Sequence, residues 1–261
     1  MTEYLAAIAK LVEAANLGLP LWAGVFARMS GIAFLAPALG ELQVPARVRL
    51  AGAVALAMLV APFADAPFKP ATVPALAAII GAEAATGLLI GFALRLGVFA
   101  LQLLGSIAAQ VLSLSQLFGP GLGHDQESPI STILIAAGLA LACAGGLHVR
   151  LAASLADSYA AFPFGAGFNV AEGAEFAAAQ AGKALSLAFG MAAPFVLLGV
   201  VYAIALAAAN RAMPQMAAVF VGAPAIVFAG MALFAGAAAV ILTRWGDVME
   251  SLVAAPLAGL P

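Results

Sequence analysis

Arg28 and Glu83 stand out because almost everything around them is apolar. Arg28 sits near the middle of the run Leu19 to Leu39, where a cation costs roughly 2.5–3.5 kcal/mol on the insertion scale. It must therefore face protein, snorkel outward or meet an acid. Glu83 lies near the centre of Val73 to Leu94, where an unpaired carboxylate is costly, so it is protonated, paired or facing a wet cavity. A proton relay and a structural hydrogen bond both fit such a residue. Glu83, Gly87, Gly91 and Arg95 recur at intervals of four along one helical face, and glycines so placed let another backbone approach closely. We read Arg28 and these four as residues of helix packing or subunit contact.

Other reactive side chains carry less. His124, Asp125, Glu127 and Ser128 gather in the stretch LFGPGLGHDQESP, Leu117 to Pro129. A His-Asp pair could orient a proton, but in a Gly-rich loop it reads as solvated. His148 has no second histidine or clustered acid at ligand spacing and reads as interfacial, with no metal expected. The lone Cys143 sits in an apolar run and reads as packing. No Walker-type loop, H-E-x-x-H or G-x-S-x-G is present, so no catalytic residue and no cofactor is expected.

These residues must be held by hydrophobic helices. Of 261 residues 65% are hydrophobic and 8% charged, against roughly 25% charged in soluble domains. Lipid or partner subunits must cover such a chain. A net charge of −2 without a basic stripe gives no footprint for nucleic acid. Residues 1–19 follow amphipathic helical spacing, and Glu3, Lys10 and Glu13 interrupt the start where a signal peptide needs a basic region and then an apolar core. Leu50 to Phe63 is short for an upright span. Val73 to Phe118 is long enough for two spans or one long broken helix. Ile130 to Leu147 has span length, and Leu151 to Phe164 leads into a Gly-rich bend. Ala184 to Ala209 is interrupted by Pro194, where a kink is expected. Asn210 to Gln215 forms a polar turn before Phe220 to Leu242, and Trp245 beside Arg244 and Asp247 reads as an interfacial anchor. The expected fold is all-α: a polytopic membrane protein of long, tilted and kinked helical hairpins, in one domain over residues 1–261.

Gly119, Pro120, Gly121 and Gly123 exclude a continuous helix through the central stretch. A loop with a greasy half and a polar half, set between long hydrophobic segments, is either a connector or a flap lining a passage.

Ordered landmarks along the chain resemble the FliR family of flagellar biosynthesis proteins, which includes the equivalent component of virulence type III secretion. They begin with Arg28, Pro37, Gly40, Pro45, Ala46, Arg47 and Arg49, followed by Glu83, Gly87 and Gly91. Next come Gly146, Leu147 and His148, then Ser158, Tyr159, Phe162, Pro163 and Gly165. Last are Pro194, Asn210, Arg211, Met213, Pro214, Gln215, Phe220, Gly222 and Pro224. The Arg-x-Met-Pro-Gln turn is the most specific of these. The resemblance implies a subunit of the flagellar export gate in the bacterial inner membrane, within the basal body. It implies FliP-like and FliQ-like gate subunits as partners, FlhB-like and FlhA-like export components nearby, and unfolded proteins as substrates. It also implies a FliP-like part over residues 1–180 joined to a FliQ-like part over 181–261. Arg211, Pro214 and Gln215 join the packing or subunit-contact set, and Leu117, Phe118, Gly119, Pro120, Gly121, Leu122 and Gly123 become a loop that plugs the pore. The sequence departs from the usual family pattern in this loop, with Ser128 before Pro129 and an unusual GPGLG run. An independent small-solute transporter and a virulence secretion gate are the alternative functions.

Overall fold

The computed structural model describes residues 2–41, 44–64, 72–112, 128–212 and 218–258, and the side chains of 2–17 and 218–221 are left aside. Its described elements are helical: α1 Thr2–Leu35, α2 Ala46–Val60 with a short 3₁₀ turn Ala61–Phe63, α3 Val73–Val111, α4 Pro129–Ala144, α5 Leu147–Ala161, α6 Val170–Ala212 and α7 Ala218–Ala254. Five described helices are long and apolar enough to cross a membrane, or six spans if the bent pair α4 and α5 counts as one. An all-α polytopic membrane fold follows, since helices satisfy their own backbone where water is absent.

Several boundaries differ from the sequence reading. The interfacial first segment and the first apolar run are one helix, α1, with Pro20 inside it. Over its described part the long run after Val73 is neither two spans nor broken: α3 is continuous over 39 residues, Val73–Val111. Its glycines cost helix propensity, but close packing against neighbours outweighs that loss. Pro194 lies inside the 43-residue α6 without ending it. At 1.5 Å per residue α6 is about 65 Å long, twice the roughly 30 Å hydrocarbon layer. Between α4 and α5 the helix is broken. Gly146 makes that break with a φ of 78°, a conformation open to glycine.

The contacts divide the chain into two compact units. The first comprises Met1–Arg95, Gly146–Gln180 and Glu250–Pro261. In it α1 packs on α2 and α2 also touches α5. Val25, Met29, Ile32, Ile90 and Leu94 are buried. The second comprises Leu96–Gly145 and Ala181–Met249. Its interior includes Leu101, Leu104, Leu134, Phe195 and Trp245, with Ala100, Ala184 and Ala188 forming a small-residue contact between α3 and α6.

Two side chains lie where the sequence reading did not put them. Trp245 is buried, not interfacial, and its indole N–H donates to the Gly97 carbonyl at 2.7 Å. The reason is packing: the ring lies against Gly138 of α4, where an added β-carbon would stand 3.1 Å from it. Cys143 is exposed on α4, so it does not pack within this chain.

Candidate functional site

Gly24, Arg28 and Gly31 stand at i, i+4 and i+7 on α1 and share one face. The opposing face of α3 carries Glu83 and Gly87. A β-carbon on Gly31 would stand 2.8 Å from the Leu88 nitrogen and 2.9 Å from the Ala84 oxygen, and one on Gly87 would collide with the main chain of Arg28. Each helix thus offers a glycine to the other's backbone, which brings the axes closer than larger side chains permit. Gly91 continues the contact against Leu35, where an added β-carbon would lie 3.0 Å from the leucine Cβ.

This approach lets Arg28 meet Glu83. Arg28 Nε donates to Glu83 Oε2 at 2.7 Å and Nη2 donates to Oε1 at 3.0 Å. Two parallel charge-assisted bonds make the fork pairing that guanidinium geometry favours. The side chains are 0% and 1% exposed, so the acid answers the cost of the cation and no snorkelling occurs.

The end of α5 supplies the remaining partners. Arg28 Nη1 donates to Ser158 Oγ at 3.3 Å and Nη2 to the Phe162 carbonyl at 3.0 Å. The guanidinium carbon lies 3.8 Å from the centroid of the Tyr159 ring, a cation–π contact. The Tyr159 hydroxyl donates to Glu83 Oε2 at 3.2 Å, and the Gly165 N–H donates to Oε1 at 2.8 Å. The turn from Phe162 to Gly165 therefore gives a carbonyl to the cation and an N–H to the anion. Gly165 adopts a φ of 76° to do so.

Each carboxylate oxygen of Glu83 accepts two donors, which fills the lone-pair sites available to a carboxylate. The arrangement is suited to holding α1, α3 and the turn after α5 together. Buried pairs add little net stability when intact, but loss of one partner strands the other charge at about 3–5 kcal/mol.

A second, half-exposed corner ties the link between α1 and α2. Arg95 Nη1 meets Glu41 Oε1 at 2.6 Å, while Arg49 Nη2 donates to the Glu41 carbonyl at 3.1 Å. Arg95 thus lies on the same α3 stripe as Glu83 and pairs with a different acid. Arg211 is exposed in the last turn of α6, where a cation complements the helix dipole. Pro214, Gln215, the loop Leu117 to Gly123 and its neighbours His124, Asp125 and Glu127 lie outside the described residues.

Sequence reasoning named Arg28 and Glu83 without pairing them and left Ser158 and Tyr159 among family landmarks. Gly24 and Gly31 were missed, although they flank Arg28 at i−4 and i+3 much as Gly87 and Gly91 follow Glu83 at i+4 and i+8.

Comparison with known proteins adds two findings. The family model described as bacterial export proteins, family 1, matches residues 19–252. The flagellar biosynthetic protein FliR of Caulobacter vibrioides is 30% identical over 233 residues, covering 88% of this chain and 92% of that relative. The matched region contains the whole Arg28–Glu83 site.

Proposed function

The chain belongs to the FliR family, family 1 of the bacterial export proteins, and on that premise we propose that it is a core subunit of the flagellar protein export gate in the bacterial inner membrane. In this reading it assembles with FliP-like and FliQ-like subunits around a passage for unfolded flagellar proteins, next to FlhB-like and FlhA-like export components.

The observation that carries the reading beyond membership is the pairing of length with exposure. α6 is about 65 Å long and α7, at 37 residues, about 55 Å, against roughly 30 Å of hydrocarbon. Phe189, Leu197, Val201 and Ile204 on α6 and Phe228 and Val240 on α7 are exposed. Upright lipid alone covers only part of such helices, and neighbouring subunits cover the rest. The division into a FliP-like part over 1–180 and a FliQ-like part over 181–261 belongs to the same proposal. Its boundary falls within continuous α6, so the two parts would share a helix and not a linker.

The loop from Leu117 to Gly123 is proposed as the plug. Apolar Leu117, Phe118 and Leu122 close a narrow pore by excluding water, and the glycines permit displacement by a substrate. Substrate movement is driven elsewhere, and this chain acts as a conduit.

The test is a strain lacking the gene. Loss of filament-protein export and its restoration by the intact chain support the proposal. Undiminished export without the chain overturns it. In assembled gates, shortening Phe118 to Gly123 is expected to raise ion leak, and unchanged conductance removes the plug.

A further inference from the structure

In the first unit the turn between α1 and α2 holds Ala38 at a φ of 68°, the one positive value outside glycine among the described residues. That conformation crowds an alanine β-carbon against the following carbonyl and disfavours the turn by roughly 5- to 30-fold. The Ala38 side chain is exposed, so no packing of its own offsets the strain. The flanks impose it instead. Pro37 has a fixed φ just before it, and the Gly40 N–H donates to the carbonyl of buried Ala36 at 2.7 Å. Gly40 backs so closely on the end of α1 that an added β-carbon would stand 2.7 Å from the Phe34 carbonyl oxygen. Leu39 reaches across to α2, where a β-carbon on Gly52 would lie 3.1 Å from its Cδ2.

Just beyond the turn, Glu41 joins three segments. Its carboxylate meets Arg95 of α3 at 2.6 Å, and its carbonyl accepts from Arg49 of α2 at 3.1 Å. The Arg95 and Glu41 side chains are 32% and 23% exposed, so water and salt screen the pair and it favours the closed turn by only about fivefold. Arg49 fits imperfectly: its Nε is buried without a hydrogen-bond partner, and its charge lies near the start of α2, where the helix dipole disfavours a cation. α2 has little else to hold it. Its buried residues are Ala53, Ala57 and Val60, two of them too small to bury much apolar area, while Val48, Leu50, Met58 and Leu59 are exposed.

We infer that α2 is a hinged arm. Ala38 to Gly40 form the hinge, and Glu41 is a positioning residue that clasps the arm to α3 through Arg95. The strain at Ala38 and the clasp on Glu41 oppose each other and are of similar size, so the arm is poised. Loss of the clasp releases the strain, and α2 parts from α1 before α1 and α3 part from each other. Strained backbone is typical of segments that change state, and moving elements are drawn from the least stable part of a fold. The inference stands on the first unit alone and is independent of the export-gate reading.

The test is amide exchange of the full, detergent-purified chain, read over residues 46–60 of α2 and 73–95 of α3. Raising sodium chloride from about 0.1 M to about 1 M shortens the screening length from about 10 Å to about 3 Å and is expected to speed exchange in α2 about fivefold, with α3 unchanged. Glu41→Gln is expected to give the same gain at low salt and to abolish the further effect of salt. Ala38→Gly relieves the turn and is expected to slow exchange in α2 about threefold, after allowance for the freedom glycine adds to the open arm. Arg150→Gln, which breaks the exposed pair with Glu250 at 2.9 Å, is the control and leaves α2 as it was. Exchange in α2 indifferent to both salt and Glu41→Gln overturns the clasp. Faster exchange in Ala38→Gly overturns the strained hinge. If α3 speeds up together with α2, the unit loosens as a whole and there is no arm. Should Glu41→Gln fail to fold, the salt series and Ala38→Gly decide on the same terms.

Discussion

Arg28 and Glu83 are 55 residues apart in sequence, and each alone would burden a membrane segment. Together they cancel charge and hold two main-chain groups of the turn after α5. Glu83→Gln keeps the shape but leaves the guanidinium unneutralised, so a loss of about 3–5 kcal/mol is expected. It is read as a fall in the thermal midpoint of the detergent-purified chain; an unchanged midpoint would remove the pin. Tyr159→Phe deletes one of four donors to the carboxylate and keeps the ring beneath the cation, so about 1 kcal/mol is expected from the same measurement. In a double-mutant cycle, Arg28→Met with Glu83→Leu costs less than the two singles summed, because no charge is stranded. It still costs something, because the Phe162 carbonyl and Gly165 N–H lose their partners. The cost of each ionised residue was legible in the sequence, but the pairing was not. Half of what holds it consists of backbone groups, which have no signature in residue type.

At the scale of elements, the fours-spaced stripe on α3 was legible and its counterpart on α1 was overlooked. Gly24, Arg28 and Gly31 display the same logic at i, i+4 and i+7, with a charge set among small residues. The crossing makes a sharp contrast between two glycines on one helix. Gly87→Ala places a β-carbon against the Arg28 backbone and should force α1 away from α3, whereas Gly81→Ala meets nothing within 4 Å. Thermal melts of the two variants should therefore move in opposite directions, since alanine in an open helical position gains about 1 kcal/mol in propensity. Equal shifts would mean that the helices do not meet at Gly87. Trp245 was misjudged for a reason of the same scale: nearby charges suggested an interface, while the ring packs against Gly138 of α4.

For the whole molecule, composition alone established a membrane protein, and the helical period established its class. What hydropathy could not convey was the length of α3, α6 and α7, since glycine, proline and scattered polar residues look like breaks. They persist as helix: in α3 neighbouring main chain packs against Gly87 and Gly105, whereas in α6 Gly182 and Gly190 stand open with nothing within 4 Å. Helices longer than the membrane, with apolar flanks exposed, are what the proposed export gate would cover with partner subunits. The most direct measurement is affinity purification of the tagged chain, co-expressed with candidate FliP-like and FliQ-like proteins, in mild detergent with mass spectrometry of the product. The expected result is one stable complex containing all three. A chain that instead purifies alone as a homogeneous, stable oligomer would contradict the export-gate account.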